Sequence, residues 1–334
     1  MGNQLCKGRR YSSSKRRTMG FIHNQASPSH IGIRNVGVDK ICNFSTTNSD
    51  LCISIVTWNM NGQVTFEDLA EMVGSNREFD LLAVGLQEAP PCPRNKVATM
   101  LSAALDESHT CTCLDQRMQD RSLMVDKESV GGCGGIIGRK KGAVAIRINY
   151  KGIRMVFISC HLSAHGRNVE ERNSQCRHIS HSLFSKFWNP YSRPSHITIW
   201  LGDLNYRLQG IDTYPARTLI EKNLHRRLHS KDQLLQEAGR GQIFNGFCEG
   251  TLTFKPTYKY NKGSSNYDTS HKIRVPAWTD RILFKIEDDN NMEATLHSYE
   301  SMDEIYGSDH KPVKAHLCLR LRQIPTKPSC NEQT

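Results

Sequence analysis

A chain of 334 residues can bury one large core or two ordinary ones, so its twelve irregularly spaced cysteines need not staple a small fold. With 44 Lys and Arg against 33 Asp and Glu the net charge is +11, which points to an anionic partner: nucleic acid, a phosphorylated small molecule or an acidic membrane surface. The longest apolar runs, 81–86 and 155–158, are strand-sized and exclude a bilayer-spanning helix there. With no zinc-type Cys/His spacing, the thiols read as reduced, mostly structural residues of a cytosolic protein.

Residues 1–48 are expected to form a disordered basic tail. Lys7, Arg9, Arg10, Lys15, Arg16 and Arg17 precede the first acidic residue, Asp39, amid Ser and Gly, and such a stretch cannot bury enough apolar surface to fold. No apolar run follows the first basic residues, so no signal-peptide core is read. The start resembles an N-myristoylation site at Gly2, with Cys6 where Ser or Thr is usual. A palmitoylated Cys6 or the basic cluster would supply the second signal that a single acyl chain needs, giving a cytoplasmic protein peripheral at membranes. An unmodified start is the alternative.

The run 51–58, L-C-I-S-I-V-T-W, alternates as a first core strand; 66–73 has the spacing of a short helix and 80–86 that of a second buried strand. Prolines make 89–93 a loop, and 96–105 reads as a helix. Glycines at 131–142 lead into a strand at 143–148, and Gly152 turns the chain into another at 154–160, a hairpin. Helical spacing at 170–187, a strand at 197–201, a helix-rich passage at 218–238 and strands at 281–285 and 313–319 follow. This mixture predicts one α/β or α+β domain with mixed sheets.

The chemistry gathers where strands end. The run 197–207, I-T-I-W-L-G-D-L-N-Y-R, places Asp203 and Asn205 two residues apart after a buried strand, a spacing that turns both side chains to one side. An acid and an amide held so could manage a water's proton and grip an oxyanion; an Asx turn closing a hairpin is the alternative. Four other strand ends carry similar groups: Asn59 and Asn61, Glu88, His161 and His165, and Asp309 with His310. Oxygen ligands without a cysteine set favour a hard cation such as Mg²⁺. No P-loop pattern is present, so no nucleotide site is inferred.

Asn59, Gln87-Glu88, His161, the 202–205 run G-D-L-N, Asp280 and the 308–310 run S-D-H together resemble the Mg²⁺-dependent phosphoesterase superfamily of deoxyribonuclease I and the apurinic endonucleases. The runs 254–260 (F-K-P-T-Y-K-Y) and 272–283 (K-I-R-V-P-A-W-T-D-R-I-L) resemble the inositol polyphosphate 5-phosphatases specifically, with an overall likeness to the plant type. The similarity covers roughly 53–319. It implies a deoxyribonuclease I-like four-layer sandwich, two mixed β-sheets face to face with helices outside, for a catalytic domain at 49–322 followed by a C-terminal tail at 323–334.

The same resemblance implies the roles. Glu88 would hold Mg²⁺ with Asn59 beside it, and Asn61 and Asp309 near the metal. Asp203 would orient and deprotonate the water, Asn205 would donate to a phosphoryl oxygen, and protonated His161 and His310 would hold the others. Asp280 would accept from His310 and favour its charged form. Tyr258, Lys259, Lys272 and Arg274 match the family's motif for the 4-phosphate. Lys141 stands where the family has a lysine for the 1-phosphate, although Lys140 replaces the family's preceding asparagine. His165 and Arg281 read as supporting residues, Arg281 equally as a structural ion pair. The expected reaction is Mg²⁺-dependent removal of the 5-phosphate from lipids such as phosphatidylinositol 4,5-bisphosphate, with the 3,4,5-trisphosphate as a further substrate. Soluble inositol 1,4,5-trisphosphate is the alternative, and a nuclease of the same superfamily a more distant one: no aromatic ladder for bases is visible, and no nucleic-acid partner is expected. Nothing in the sequence signals an oligomeric state.

Overall fold

Apolar alternation decides which strands become central. The computed structural model describes residues 31–40, 42, 50–74, 79–90, 123–130, 141–185, 194–288 and 291–322, with side-chain detail in 123–130 confined to Asp126. The expectations for Gly2, Cys6, the 96–105 helix, Lys140 and the 323–334 tail lie outside these residues.

The strands are β1 (Arg34–Val36), β2 (Asp50–Asn59), β3 (Leu81–Gln87), β4 (Leu123–Val130), β5 (Lys141–Tyr150), β6 (Ile153–His161), β7 (Ile197–Asp203), β8 (Cys248–Gly250), β9 (Asp280–Ile286), β10 (Met292–Ser301) and β11 (Val313–Leu321). They form a seven-stranded sheet, β1-β8-β9-β7-β6-β5-β4, and a four-stranded one, β10-β11-β2-β3. Both are mixed: β6 and β7 run parallel, as do β2 and β3, while β7–β9 and β2–β11 are antiparallel. Ile53 and Ile55 of β2, Leu317 and Leu319 of β11, and Phe157, Ile199, Leu201 and Ile282 of the larger sheet meet in one buried cluster between the sheets.

The alternate residues of these strands need cover of their own. On the larger sheet, Ile158 and Trp200 pack beneath α2 (Val169–Ser182) and α4 (Gln233–Gly239), through Ile179 and Leu234. On the smaller sheet, Val56 and Trp58 pack beneath α1 (Phe66–Val73) through Leu69 and Met72. Thr65 caps α1 by accepting from the Asp68 N–H at 3.0 Å. A helix α3 (Thr213–Glu221) and a 3-10 turn at His225–Lys231 join β7 to α4. This is the expected four-layer sandwich. Among the described residues, no helix is long and apolar enough to cross a membrane.

Two expectations are corrected. The expected tail is not structureless up to residue 48: Arg34–Val36, well past the basic cluster, pairs in parallel with Cys248–Gly250, because the Arg34 N–H finds the Phe247 C=O and the short edge of β8 accepts a strand. Nor are all the thiols reduced. Cys52 and Cys318 form a disulfide, because they face each other directly across β2 and β11, 266 residues apart in the chain. Smaller differences are β4, β8 and β10, which the sequence reading omits, and a helix ending at Ser182 rather than 187.

Candidate active site

The parallel register of β6 with β7, and of β2 with β3, brings several strand ends to one place. His161 lies opposite Asp203, Asp203 opposite Asp280, and Asn59 opposite Gln87. Gly202, immediately before Asp203, has φ +141°, and a Cβ there would stand 1.9 Å from the Cys160 carbonyl oxygen. Only glycine lets β7 approach β6 so closely at this point. Three site residues other than glycine also adopt positive φ: Asn61 at 46°, Glu88 at 52° and Asn205 at 58°. Such backbone is costly outside glycine, so it marks turns that their surroundings enforce.

Asp203 is the hub. Its buried carboxylate accepts from Asn59 Nδ2 at 2.9 Å and from the Asn205 N–H at 3.0 Å. His161 Nε2 stands 3.2 Å away and His310 Nε2 4.0 Å. Burial pushes the Asp203 pKa up, but the hydrogen bond and charge of His161, with the charges of His310 and Lys141, hold it well below the usual carboxylate range. Lys141 Nζ meets His161 Nε2 directly, at the centre of the site.

His310 Nδ1 donates to Asp280 Oδ2 at 2.9 Å, and Thr257 and Thr279 hydroxyls each donate to that oxygen at 2.8 Å. Burial lowers the His310 pKa, yet the charge and hydrogen bond of Asp280, with Asp203 and Asp309, raise it to about 9. The imidazole is therefore positive at neutral pH.

Asp309 is fully engaged: Oδ1 accepts from Asn61 Nδ2 at 2.7 Å and Oδ2 from Lys259 Nζ at 2.8 Å. Both carboxylate oxygens are thus committed to side chains. Glu88 Oε1 lies 4.0 Å from His161 Nε2, on the same side as Asn59. Asp203, Asp280 and His310 also place ligand atoms within 4.8 Å of one another. Because His310 Nδ1 is bonded to Asp280, this trio reads as a hydrogen-bonded chain. The oxygens of Glu88, partly exposed, and of buried Asn59, whose Oδ1 also accepts from the Asn61 N–H at 3.0 Å, are hard donors whose chemistry fits a hard divalent cation.

The rim is cationic. Tyr258 lies with its ring 4.7 Å from that of His310, and the Arg207 guanidinium covers Tyr258 at 4.1 Å while donating from Nη2 to Asn205 Oδ1 at 2.6 Å. His165 is exposed and does not join the Asp203 hub. Partial burial lowers its pKa, and so does the positive field of Arg274, Arg207, Arg167 and Lys272, all near enough to act on it. Arg281 is elsewhere: its guanidinium is fully buried on Glu249, with two contacts of 2.6 Å, and on Asp232 at 3.0 Å, a structural ion network.

The sequence reading missed Arg207, which sits two residues after Asn205 in the very run it singled out. It also missed Thr257 and Thr279, whose flanking positions beside Tyr258 and Asp280 were the available signal.

Comparisons with known proteins agree with this geometry. Residues 99–316 match the Endonuclease/Exonuclease/phosphatase family 2. The chain is 53% identical over 337 residues to the type IV inositol polyphosphate 5-phosphatase 11 of Arabidopsis thaliana, covering 95% of this chain and 97% of that one. It is 31% identical over 311 residues to the phosphatidylinositol 4,5-bisphosphate 5-phosphatase A of Mus musculus, where 80% of this chain spans only 31% of the relative. Among solved structures, the inositol polyphosphate 5-phosphatase domain of SpSynaptojanin, in complex with inositol (1,4)-bisphosphate and calcium ion, superimposes with a TM-score of 0.67 at 29% identity, over 81% of this chain and 86% of that domain.

Proposed function

The chain belongs to the inositol polyphosphate 5-phosphatases, phosphoric monoester hydrolases of deoxyribonuclease I-like fold, and from that premise we propose that it removes the 5-phosphate of membrane lipids such as phosphatidylinositol 4,5-bisphosphate. A phosphate monoester resists hydrolysis because its oxygens repel the nucleophile and the leaving alkoxide is poor. Charge must be neutralised and a water held in line.

In this reading Asp203 orients the attacking water and accepts its proton, while Asn59 and the Asn205 N–H fix the carboxylate. Asn205 gives one amide hydrogen to the Leu162 C=O, and the other serves a phosphoryl oxygen. His161 and positively charged His310 hold the remaining oxygens. Glu88 and Asn59 would hold Mg²⁺, with Asn61 nearby; when bound it supplies neutralisation of phosphoryl charge and a more acidic water. Asp309 serves here by fixing Asn61 and Lys259. Tyr258, Lys259, Lys272 and Arg274, joined by Arg207, read the neighbouring 4-phosphate, and Lys141 neutralises charge beside His161.

The observation that carries the lipid reading lies on the rim. Ile273, between Lys272 and Arg274, is 38% exposed, and Tyr214 is 74% exposed. The Thr213 hydroxyl donates to the Ile273 C=O at 2.8 Å, so exposed Tyr214 and Ile273 belong to neighbouring segments, Ile273 between Lys272 and Arg274. A soluble headgroup has no use for them, whereas a bilayer surface carrying anionic lipid engages both cation and apolar residue. Released phosphate should be measured from vesicles containing phosphatidylinositol 4,5-bisphosphate and from soluble inositol 1,4,5-trisphosphate, with Mg²⁺ and with a chelator. Turnover is expected on vesicles, abolished by chelation, and the vesicle-to-soluble ratio should fall about tenfold in Tyr214→Ser/Ile273→Ser. Turnover of the soluble compound alone, or an unchanged ratio in the variant, would reverse the lipid assignment.

A further inference from the structure

The outer face of the smaller sheet carries a second cluster of metal-type ligands, remote from the phosphatase centre. Ile53 and Leu317 point into the core between the sheets, so strand alternation turns Cys52, His316 and Cys318 to the other side. The Cys52 N–H donates to Asp80 Oδ2 at 2.9 Å and its C=O accepts from the Asp80 N–H, both on the β3 side. Towards β11, Cys52 and Cys318 are thus a non-hydrogen-bonded antiparallel pair, with Cα atoms 4.1 Å apart. Cys42 closes the group from above. The segment before it is pinned by Asp39, whose N–H donates to the Leu296 C=O at 2.8 Å and whose C=O accepts from His297 Nδ1 at 2.6 Å.

Cys42 Sγ stands 3.8 Å from Cys52 Sγ, 3.6 Å from Cys318 Sγ and 3.9 Å from His316 Nε2, and Cys318 Sγ stands 3.6 Å from that nitrogen. A tetrahedron built on zinc, with Zn–S about 2.3 Å and Zn–N about 2.0–2.1 Å, has S···S edges of about 3.8 Å and S···N edges of about 3.6 Å. Four of the six edges therefore stand within about 0.3 Å of those lengths. All four ligand atoms lie within 4.8 Å of one another, and Cys52 and Cys318 are buried. Asp39, Asp50 and Glu293 line the hollow beside Cys318, where Arg320 is bonded to Asp50. Three thiolates and one imidazole select a borderline-soft ion over Mg²⁺ or Ca²⁺.

We propose that Cys42, Cys52, His316 and Cys318 form a structural zinc site, of which the Cys52–Cys318 disulfide is the oxidised, metal-free form. A dithiol reductant passes two electrons and two protons to the S–S bond, yielding two thiols while the reductant becomes a disulfide. The three cysteines then release their protons as thiolates bind zinc, with the imidazole supplying its neutral Nε2. Cys52 lies seven residues before Asn59 on β2, about 23 Å along the strand, so the site ties the 39–42 segment to the sheet without touching the phosphatase centre.

The test uses the full chain, reduced with dithiothreitol under nitrogen, freed of reductant, and titrated with Co²⁺ in excess Mg²⁺. A thiolate-to-cobalt charge-transfer band with the visible bands of a tetrahedral site should saturate at a single equivalent and vanish on adding Zn²⁺. Carboxylates at the phosphatase centre cannot produce that band. Cys42→Ser and His316→Ala, checked for folding by circular dichroism, should each weaken zinc binding more than tenfold while leaving phosphatase turnover unchanged. Absence of the band from the reduced chain would overturn the proposal. So would its persistence in both variants, or an intact mass showing that the disulfide survives the reductant.

Discussion

His310 concentrates the electrostatics of the site in one residue. Its imidazole is buried and bonded to Asp280, which two threonine hydroxyls hold in place. Burial disfavours the charged ring, but Asp280 outweighs it and lifts the pKa from 6.5 to about 9. A raised folded pKa means that the native state binds the proton more tightly than the unfolded chain does. The resulting stabilisation is complete below about pH 6.5 and is lost as pH rises through about 9. The displacement corresponds to up to about 3 kcal/mol. In chelator, the difference in urea unfolding free energy between the wild-type chain and His310→Gln should therefore be greatest near pH 6 and shrink by that order towards pH 10. A difference that stays constant with pH would show that Asp280 does not stabilise a charged ring. At the same scale, Arg207 ties two residues of the candidate site together, since one guanidinium covers Tyr258 and grips Asn205.

At the scale of elements, β9 does two jobs with adjacent residues. Asp280 faces the site, and Arg281, turned to the opposite side, is fully buried between Glu249 of β8 and Asp232. Asp232 also caps α4 by accepting from the Leu235 N–H at 3.0 Å, and the Tyr299 hydroxyl of β10 donates to Glu249 at 2.8 Å. One cation thus joins two strands and a helix start, and Asp232 and Glu249 drive its pKa up against burial. Replacing it strands two buried carboxylates. Arg281→Met should cost about 3–5 kcal/mol in urea unfolding, as expected when one partner of a buried ion network is removed. Such a loss, with the kcat of the folded fraction retained, would place Arg281 in the framework; a kcat loss at full stability would place it in the chemistry. Here, too, the sequence is legible in part. Alternation exposes β2, β6, β7 and β11 because each has a buried face, and their polar ends mark the site. It misses β10, where Thr295, His297 and Ser298 interrupt the apolar pattern, and β8, only three residues long. The Cys52–Cys318 pair is invisible for another reason: its partners are brought together only by sheet register.

Over the whole molecule, the part least expected from composition is the segment that touches both sheets. The cations behind the tail reading lie at 7–17; the segment 31–39, I-G-I-R-N-V-G-V-D, balances one Arg against one Asp and packs Ile33 and Val36 against the buried clusters, yet is too short to fold by itself. It is ordered because existing edges complete it. The Gly32 N–H donates to Asn245 Oδ1 at 3.0 Å, the Arg34 N–H to the Phe247 C=O at 2.8 Å, and β1 pairs through Val36 with Gly250. A few residues later Asp39 is bonded to Leu296 and His297 of β10, so 31–39 bridges β8 of one sheet and β10 of the other. Covering the β8 edge also removes a row of open backbone groups from the surface. A chain lacking residues 1–40 should therefore be less stable than one lacking only 1–30. Each lost backbone bond is worth about 1 kcal/mol before the ordering entropy is returned, so a net loss of about 2–3 kcal/mol is expected. That corresponds to several degrees in Tm. Scanning calorimetry of the two truncations, both with Mg²⁺, measures it. Equal transitions would mean that β1 rests on the sheet edge without holding the sandwich together.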